Sequence, residues 1–202
     1  DVADIQVGGS YREYVLNSEG TIFTDIDGPI RYDEYGAYVQ VQKKFMEDKM
    51  KFTGSIRYDK AQNFDGNFSP RLSLVFSPDE AKKHNFRASF QTGFRNPTTQ
   101  DQYIGLDVGR AVLIGGAFDN PARYSRDYNL SPTGAAITGQ STLNIDATGA
   151  YNNSFFASSV GAFGATGNPG ALEIANSNFA QPEQVSSFEV GYRGKVDGFI
   201  ID

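Results

Sequence analysis

The sequence predicts an all-β chain of long antiparallel strands, and three observations carry that prediction. Apolar and polar residues alternate with a period of two through six separate stretches, most of them about ten to thirteen residues long, and the connections between them alternate between tight and long. A composition of 22 glycines, 11 tyrosines and 16 phenylalanines with no tryptophan supplies β-forming and turn residues in abundance.

The first stretch, about Ala3 to Val15, sets Ile5, Val7, Gly9 and Tyr11 against Gln6, Gly8, Ser10 and Arg12. The second, about Tyr32 to Phe45, sets Tyr35, Ala37, Val39 and Val41 against Tyr38, Gln40, Gln42 and Lys44. The third, Lys49 to Lys60, is the cleanest: Met50, Phe52, Ile56 and Tyr58 oppose Lys51, Thr53, Ser55, Arg57 and Asp59. The fourth, Phe68 to Ser77, puts Leu72, Leu74 and Phe76 opposite Arg71 and Ser73. The fifth, Asn85 to Arg95, puts Phe86, Ala88, Phe90 and Phe94 opposite Arg87, Ser89, Gln91 and Arg95. The sixth, Val185 to Lys195, puts Phe188, Val190 and Tyr192 opposite Ser187, Glu189, Arg193 and Lys195, and a Val196-Asp197-Gly198 turn leads into a seventh.

Met46 to Asp48 and Pro78 to His84 are tight connections, whereas Asn17 to Arg31, Ala61 to Asn67 and Asn96 to Gln184 are longer, the last by far. Short turns at one end of a sheet and long loops at the other are the organisation of a membrane β-barrel, and a tilted membrane strand needs about 9–11 residues where soluble strands cluster near 5–6. A soluble β-sandwich or a solenoid also alternates, and is the competing reading. Six strands and a stub do not close a barrel of even the smallest size, about eight strands, and open edges in lipid are costly. The expectation is therefore a segment of a larger antiparallel transmembrane barrel. Asp1 looks like a fragment boundary or a processed end.

Composition excludes several classes of function. With 39% hydrophobic residues there is no apolar run of the roughly 20 residues a transmembrane helix needs. The absence of cysteine and a single histidine, His84, in a charged turn, leave little for zinc or for His-based catalysis. A net charge of -6 argues against nucleic acid. No GxSxG element or phosphate-binding glycine loop is present, so neither an enzyme nor a bound cofactor is expected. Asp25, Asp27 and Gly28 share the opening spacing of a calcium loop, but Pro29 and Ile30 stand where further ligands belong, and the segment reads as an acidic turn. Arg12, Lys51, Arg57, Arg71, Arg87, Arg95 and Arg193 fall on the polar side of their strands, which in a barrel is the lumen. There they would pair with Glu189, Asp59 or acids of an internal domain, or guide an anionic solute.

The stretch Asn96 to Gln184, rich in Gly, Ala, Ser, Thr and Asn, shows no regular period, although Ser154 to Phe163 suits a small hairpin or helix. A loop of this length in an ordered protein is commonly functional; the plainer reading is a surface excursion.

Phe86 to Tyr103, FRASFQTGFRNPTTQDQY, resembles the strand and loop entry of TonB-dependent receptors, with Gly93, Phe94, Arg95, Asn96, Pro97 and Thr98 as its rim element. The segment from Gln181 onward is similar to a later strand of the same family through Pro182, Glu183, Glu189, Gly191, Tyr192 and Arg193, and Ser69 to Pro78 is similar to a preceding strand. Glu19 to Phe23 resembles members from Bacteroidota. The resemblance implies a barrel of about 22 strands in the outer membrane. It also implies an N-terminal plug and a TonB box, neither found here, and uptake of a scarce nutrient (iron chelate, cobalamin, glycan or peptide) coupled to TonB, ExbB and ExbD. Residues 1–202 would be barrel, with the plug outside them. Surface lipoproteins or complex subunits are further possible partners. On the rim loops, Arg95, Tyr103, Arg123, Tyr124 and Tyr128 are the ligand-binding candidates, because aromatic and guanidinium groups suit sugars, peptides and anionic chelates. The alternatives are a non-transporting barrel in an outer-membrane complex and a soluble glycan-binding β-sandwich.

Overall fold

A computed structural model describes residues 2–109, 112–196 and 199–201. The chain divides into two compact units: a sheet unit of residues 2–14, 31–96 and 181–201, and a loop unit of residues 15–30 and 97–180.

The sheet unit is one seven-stranded sheet. Its strands are β1 (Asp4–Leu16), β2 (Ile30–Phe45), β3 (Met50–Ala61), β4 (Asn67–Phe76) and β5 (His84–Arg95), followed after the loop unit by β10 (Glu183–Val196) and β11 (Phe199–Ile201). They lie in the order β1-β2-β3-β4-β5-β10-β11, and every register from β2 onward is antiparallel. The expected strands sit within about two residues of those observed. The expected turn after the sixth strand falls at Asp197 and Gly198, outside the described residues.

Directly paired residues share a face, so the registers carry the alternation of each strand across the sheet. Leu72 pairs with Gly54 and Phe90, and Phe90 with Phe188; one step toward the tight turns, Leu74 pairs with Phe52 and Ala88, and Ala88 with Val190. On the other face Ser73 pairs with Thr53 and Ser89, and Ser89 with Glu189. The apolar face is uncovered: Phe188 is 71% and Val190 72% exposed. No second sheet packs on it among the described residues, which is where a β-sandwich would place its core. An apolar surface of this extent marks a contact face, for a membrane or for another protein surface.

At the tight end, β2 turns into β3 through Met46, Glu47 and Asp48, all at positive φ, with Lys49 N–H closing onto Met46 C=O at 3.1 Å and Lys44 held to Asp48 at 3.2 Å. At the opposite end the β4–β5 ladder stops at the Arg71–Gln91 pair, although both strands continue. Pro70, next to that pair, has no N–H to donate to a ladder. Beyond it Asn67–Ser69 and Thr92–Phe94 part around a cavity of about 170 Å³.

The loop unit contains regular structure in pieces too short to display a period. It contains α1 (Thr99–Tyr103), the hairpin β6 (Gly105–Asp107) and β7 (Val112–Ile114), the hairpin β8 (Ser125–Asn129) and β9 (Thr142–Asp146) with α2 (Pro132–Thr138) between its arms, then α3 (Ala147–Asn152) and α4 (Ala157–Thr166). The segment expected at Ser154 to Phe163 is helical, as α4. No described helix is long and apolar enough to cross a membrane, which says nothing of strands.

Candidate functional site

The loop unit is organised around buried polar groups. Asn120, fully buried, accepts from the Thr24 hydroxyl and donates to the carbonyls of Gly115 at 2.9 Å and Ile104 at 3.2 Å. This one amide joins the first long connection to the last and longest. Ile22 to Thr24 also runs beside α1 and β6, with Thr24 N–H donating to Tyr103 C=O (3.1 Å) and Gly105 N–H to Ile22 C=O (2.8 Å). Gly115 is required by contact: a Cβ there would stand 2.5 Å from the Gln102 carbonyl. Thr98 and Asp101 form a reciprocal cap on α1.

Asp25 anchors the first connection. Its carboxylate is 2% exposed and accepts from the Ser18 backbone N–H, from Ser18 Oγ at 2.7 Å and from Gly20 N–H at 2.8 Å. Burial pushes its pKa up, but the hydrogen bonds from Ser18 and Gly20 prevail and hold it below the ordinary carboxylate value. The acidic turn is thus a folded structural element. No group of three or more potential metal ligands exists among the described residues.

A cavity of about 350 Å³ opens in this unit, within the size range of small-molecule sites. One wall is aliphatic, formed by Val112 and Ile114 on β7, Ile145 on β9, and Ala147 and Ala150 on α3. The other carries Tyr124 and Tyr128, four residues apart and so on the same side of the β8 arm, with their hydroxyls 2.8 Å apart. Asp107 and Gly109 complete the rim. Burial and the bond to Tyr128 push the Tyr124 hydroxyl up to about 12.

Of the five residues expected to bind ligand, Tyr124 and Tyr128 line this cavity. Tyr103 is 2% exposed in the core of the unit, and Arg123 lies over its ring at 5.8 Å while bonding Asp119 at 2.8 Å. Arg95 belongs to the sheet unit, where it pairs with Glu183 at 3.0 Å, both side chains largely exposed. Asp107 and Asn120 were not among the candidates, and Asp25 had been singled out only as part of an acidic turn. The turn spacing Asp107-Val108-Gly109, in which Gly109 N–H donates to the Asp107 carboxylate at 2.7 Å, was the available signal for the first.

The seven cations assigned to the polar side of the strands do share one face. Arg57 bonds Asp59 at 2.6 Å and Ser10 at 3.1 Å, and Arg12 lies 3.7 Å from Glu34. Glu189 receives the Ser187 hydroxyl at 3.4 Å, not a cation. Among the described residues Lys51, Arg71, Arg87 and Arg193 form no ion pair. The Arg87 side chain lies flat over Gly191, whose missing Cβ makes room for it.

An open antiparallel sheet with one uncovered apolar face, one cationic polar face and tight turns at one end is built as a segment of a membrane β-barrel wall is built. The model of the TonB dependent receptor-like β-barrel family matches residues 2–202, and the chain belongs to that family, one of outer-membrane receptors. No curated protein and no solved structure matches the chain.

Proposed function

We propose that the chain is part of the barrel wall of an outer-membrane active transporter that takes up a scarce nutrient, its loop unit capturing the ligand at the cell surface. The observation that carries this reading is the continuous apolar band, Phe188, Phe90, Leu72 and Gly54 in one row and Val190, Ala88, Leu74 and Phe52 in the next, opposite a face of Ser, Gln, Lys and Arg. Lipid covers the first face and the lumen hydrates the second. The sheet ends on β1 and β11, each with one neighbour, and further strands close it in this reading. A plug lying outside residues 1–202 fills the lumen and links transport to TonB, ExbB and ExbD. The four cations that form no ion pair among the described residues, Lys51, Arg71, Arg87 and Arg193, face that plug or an anionic solute in this reading.

The full-length protein is fractionated with the outer membrane and run on a gel with and without boiling, and nutrient uptake is compared in cells with and without TonB. Heat-modified migration together with TonB-dependent uptake supports the proposal. A heat-insensitive soluble protein removes the barrel, and a heat-modifiable barrel with no TonB-dependent uptake removes transport.

A further inference from the structure

A second cavity of the loop unit, a groove of about 250 Å³, is lined on one side by Tyr151, Asn152 and Ser154 and on the other by Ile174, Asn176 and Ser177. The two segments run as a short antiparallel pair, with Phe155 bridged to Ile174 and Ala175 N–H donating to Ser154 C=O at 2.9 Å. Tyr151 is fixed twice: its ring stacks on Phe179 at 4.7 Å, and its hydroxyl donates to the Ser177 carbonyl. A wall set before a ligand arrives loses little freedom on binding.

The lining is rich in polar groups that the chain itself does not engage. The side chains of Asn152, Ser154, Asn176 and Ser177 make no hydrogen bond among the described residues. Asn176 sits at φ 45°, in the left-handed region where an asparagine side chain can bond the neighbouring backbone, and it makes no such bond. Among the described residues no charged side chain belongs to the lining; Glu173, next to Ile174, lies outside it.

We infer that this groove binds an uncharged sugar. Its amides and hydroxyls offer donors and acceptors side by side, as the adjacent hydroxyls of a sugar ring do, and Ile174, 58% exposed, gives an apolar patch for the ring's C–H face. A charged ligand would shed hydration and gain no counter-charge, and a wholly apolar one would desolvate the polar lining without pairing it. The volume lies below the about 300–1,000 Å³ of drug-sized sites, which suits one or two rings. This inference rests on the reading of the loop unit as the capture element and narrows the nutrient class.

Equilibrium dialysis of the full-length protein in lauryldimethylamine oxide, a detergent whose head group is not a sugar, tests it. The probes are maltose, cellobiose, lactose and mannobiose, with digalacturonate as the anion and the glucosamine disaccharide as the cation. At least one neutral disaccharide is expected to bind about ten-fold or more tightly than either charged one. Asn176→Gly keeps the positive φ and removes one amide, and Asn152→Ala removes the other. Each should weaken the neutral sugar about ten-fold, roughly the worth of one well-made hydrogen bond. Hydrogen exchange over residues 147–180 should match wild type in both, showing that the groove is intact. Failure of every neutral disaccharide to bind, equal binding of the charged ones, or neutral binding unchanged in both variants would overturn the inference. Absence of sugar binding in a protein that still shows TonB-dependent uptake sinks the inference alone, whereas sugar binding without TonB-dependent uptake sinks the transport reading alone.

Discussion

Placing an arginine on either side of one β-strand separates the two faces of the sheet. On β3 the apolar positions run from Met50 through Phe52, Gly54 and Ile56 to Tyr58. Those eight steps of about 3.3 Å cover roughly 26 Å of strand, or about 20 Å of membrane depth at a tilt near 40°, which fits inside an apolar band about 25 Å tall. Leu72 pairs with Gly54 and so stands at mid-depth, and its neighbour Ser73 points the opposite way. Leu72→Arg therefore puts a charge at the bilayer midplane, at a cost of about 2–4 kcal/mol, whereas Ser73→Arg enters a hydrated lumen and should change stability by about 0.5 kcal/mol or less. Leu72→Ala controls for the lost side chain. Denaturant unfolding of the full-length protein in lipid vesicles, read by the heat-modified gel band, measures all three. If Leu72→Arg and Leu72→Ala unfold alike while Ser73→Arg loses several kcal/mol, the apolar face does not meet lipid and the barrel reading is wrong.

Gly115→Ala should destabilise the loop unit by about 1–3 kcal/mol, because a Cβ would strike the Gln102 carbonyl and the bonds of Gly115, Gly116 and Ala117 to residues 101–104 prevent retreat; hydrogen exchange across residues 97–120 should accelerate while β3 stays protected. Asp25, with its pKa lowered by folding, contributes stability that is complete above the ordinary carboxylate value and lost as pH falls through its folded value, so wild-type protein should lose protection of residues 17–30 in acid by limited proteolysis and Asp25→Asn should show no such acid step. Tyr124, raised to about 12, behaves in the opposite sense: its contribution is complete below the ordinary tyrosine value of 10.0 and lost as pH rises toward 12, and ultraviolet titration of wild type against Tyr124→Phe should show one late-ionising tyrosine disappear.

The sheet was legible in the sequence because a membrane strand must sort its side chains at every second residue over its whole length. Twelve residues of β3 state that pattern repeatedly, so only the ends shift, from Lys49 and Lys60 to Met50 and Ala61. The loop unit hides its plan because its strands are three to five residues long and its helices mostly five to seven, too few for a period to emerge. The Thr98-to-Asp101 spacing that caps α1 and the Ser131-Pro132 entry to α2 were readable as helix starts.

The sequence alone determined the alternation, the strand lengths, the uneven connections and the motifs of the receptor family, all properties of contiguous stretches of chain. Tertiary structure alone decided that Asn120 meets Thr24 across 96 residues of chain, that Tyr103 is buried while Tyr124 and Tyr128 line a cavity, and that Asp107 stands at its rim. The reason is physical. A two-residue period is imposed locally by the extended backbone, whereas a cavity arises from contacts between short elements distant in sequence, and no local pattern encodes which of them meet.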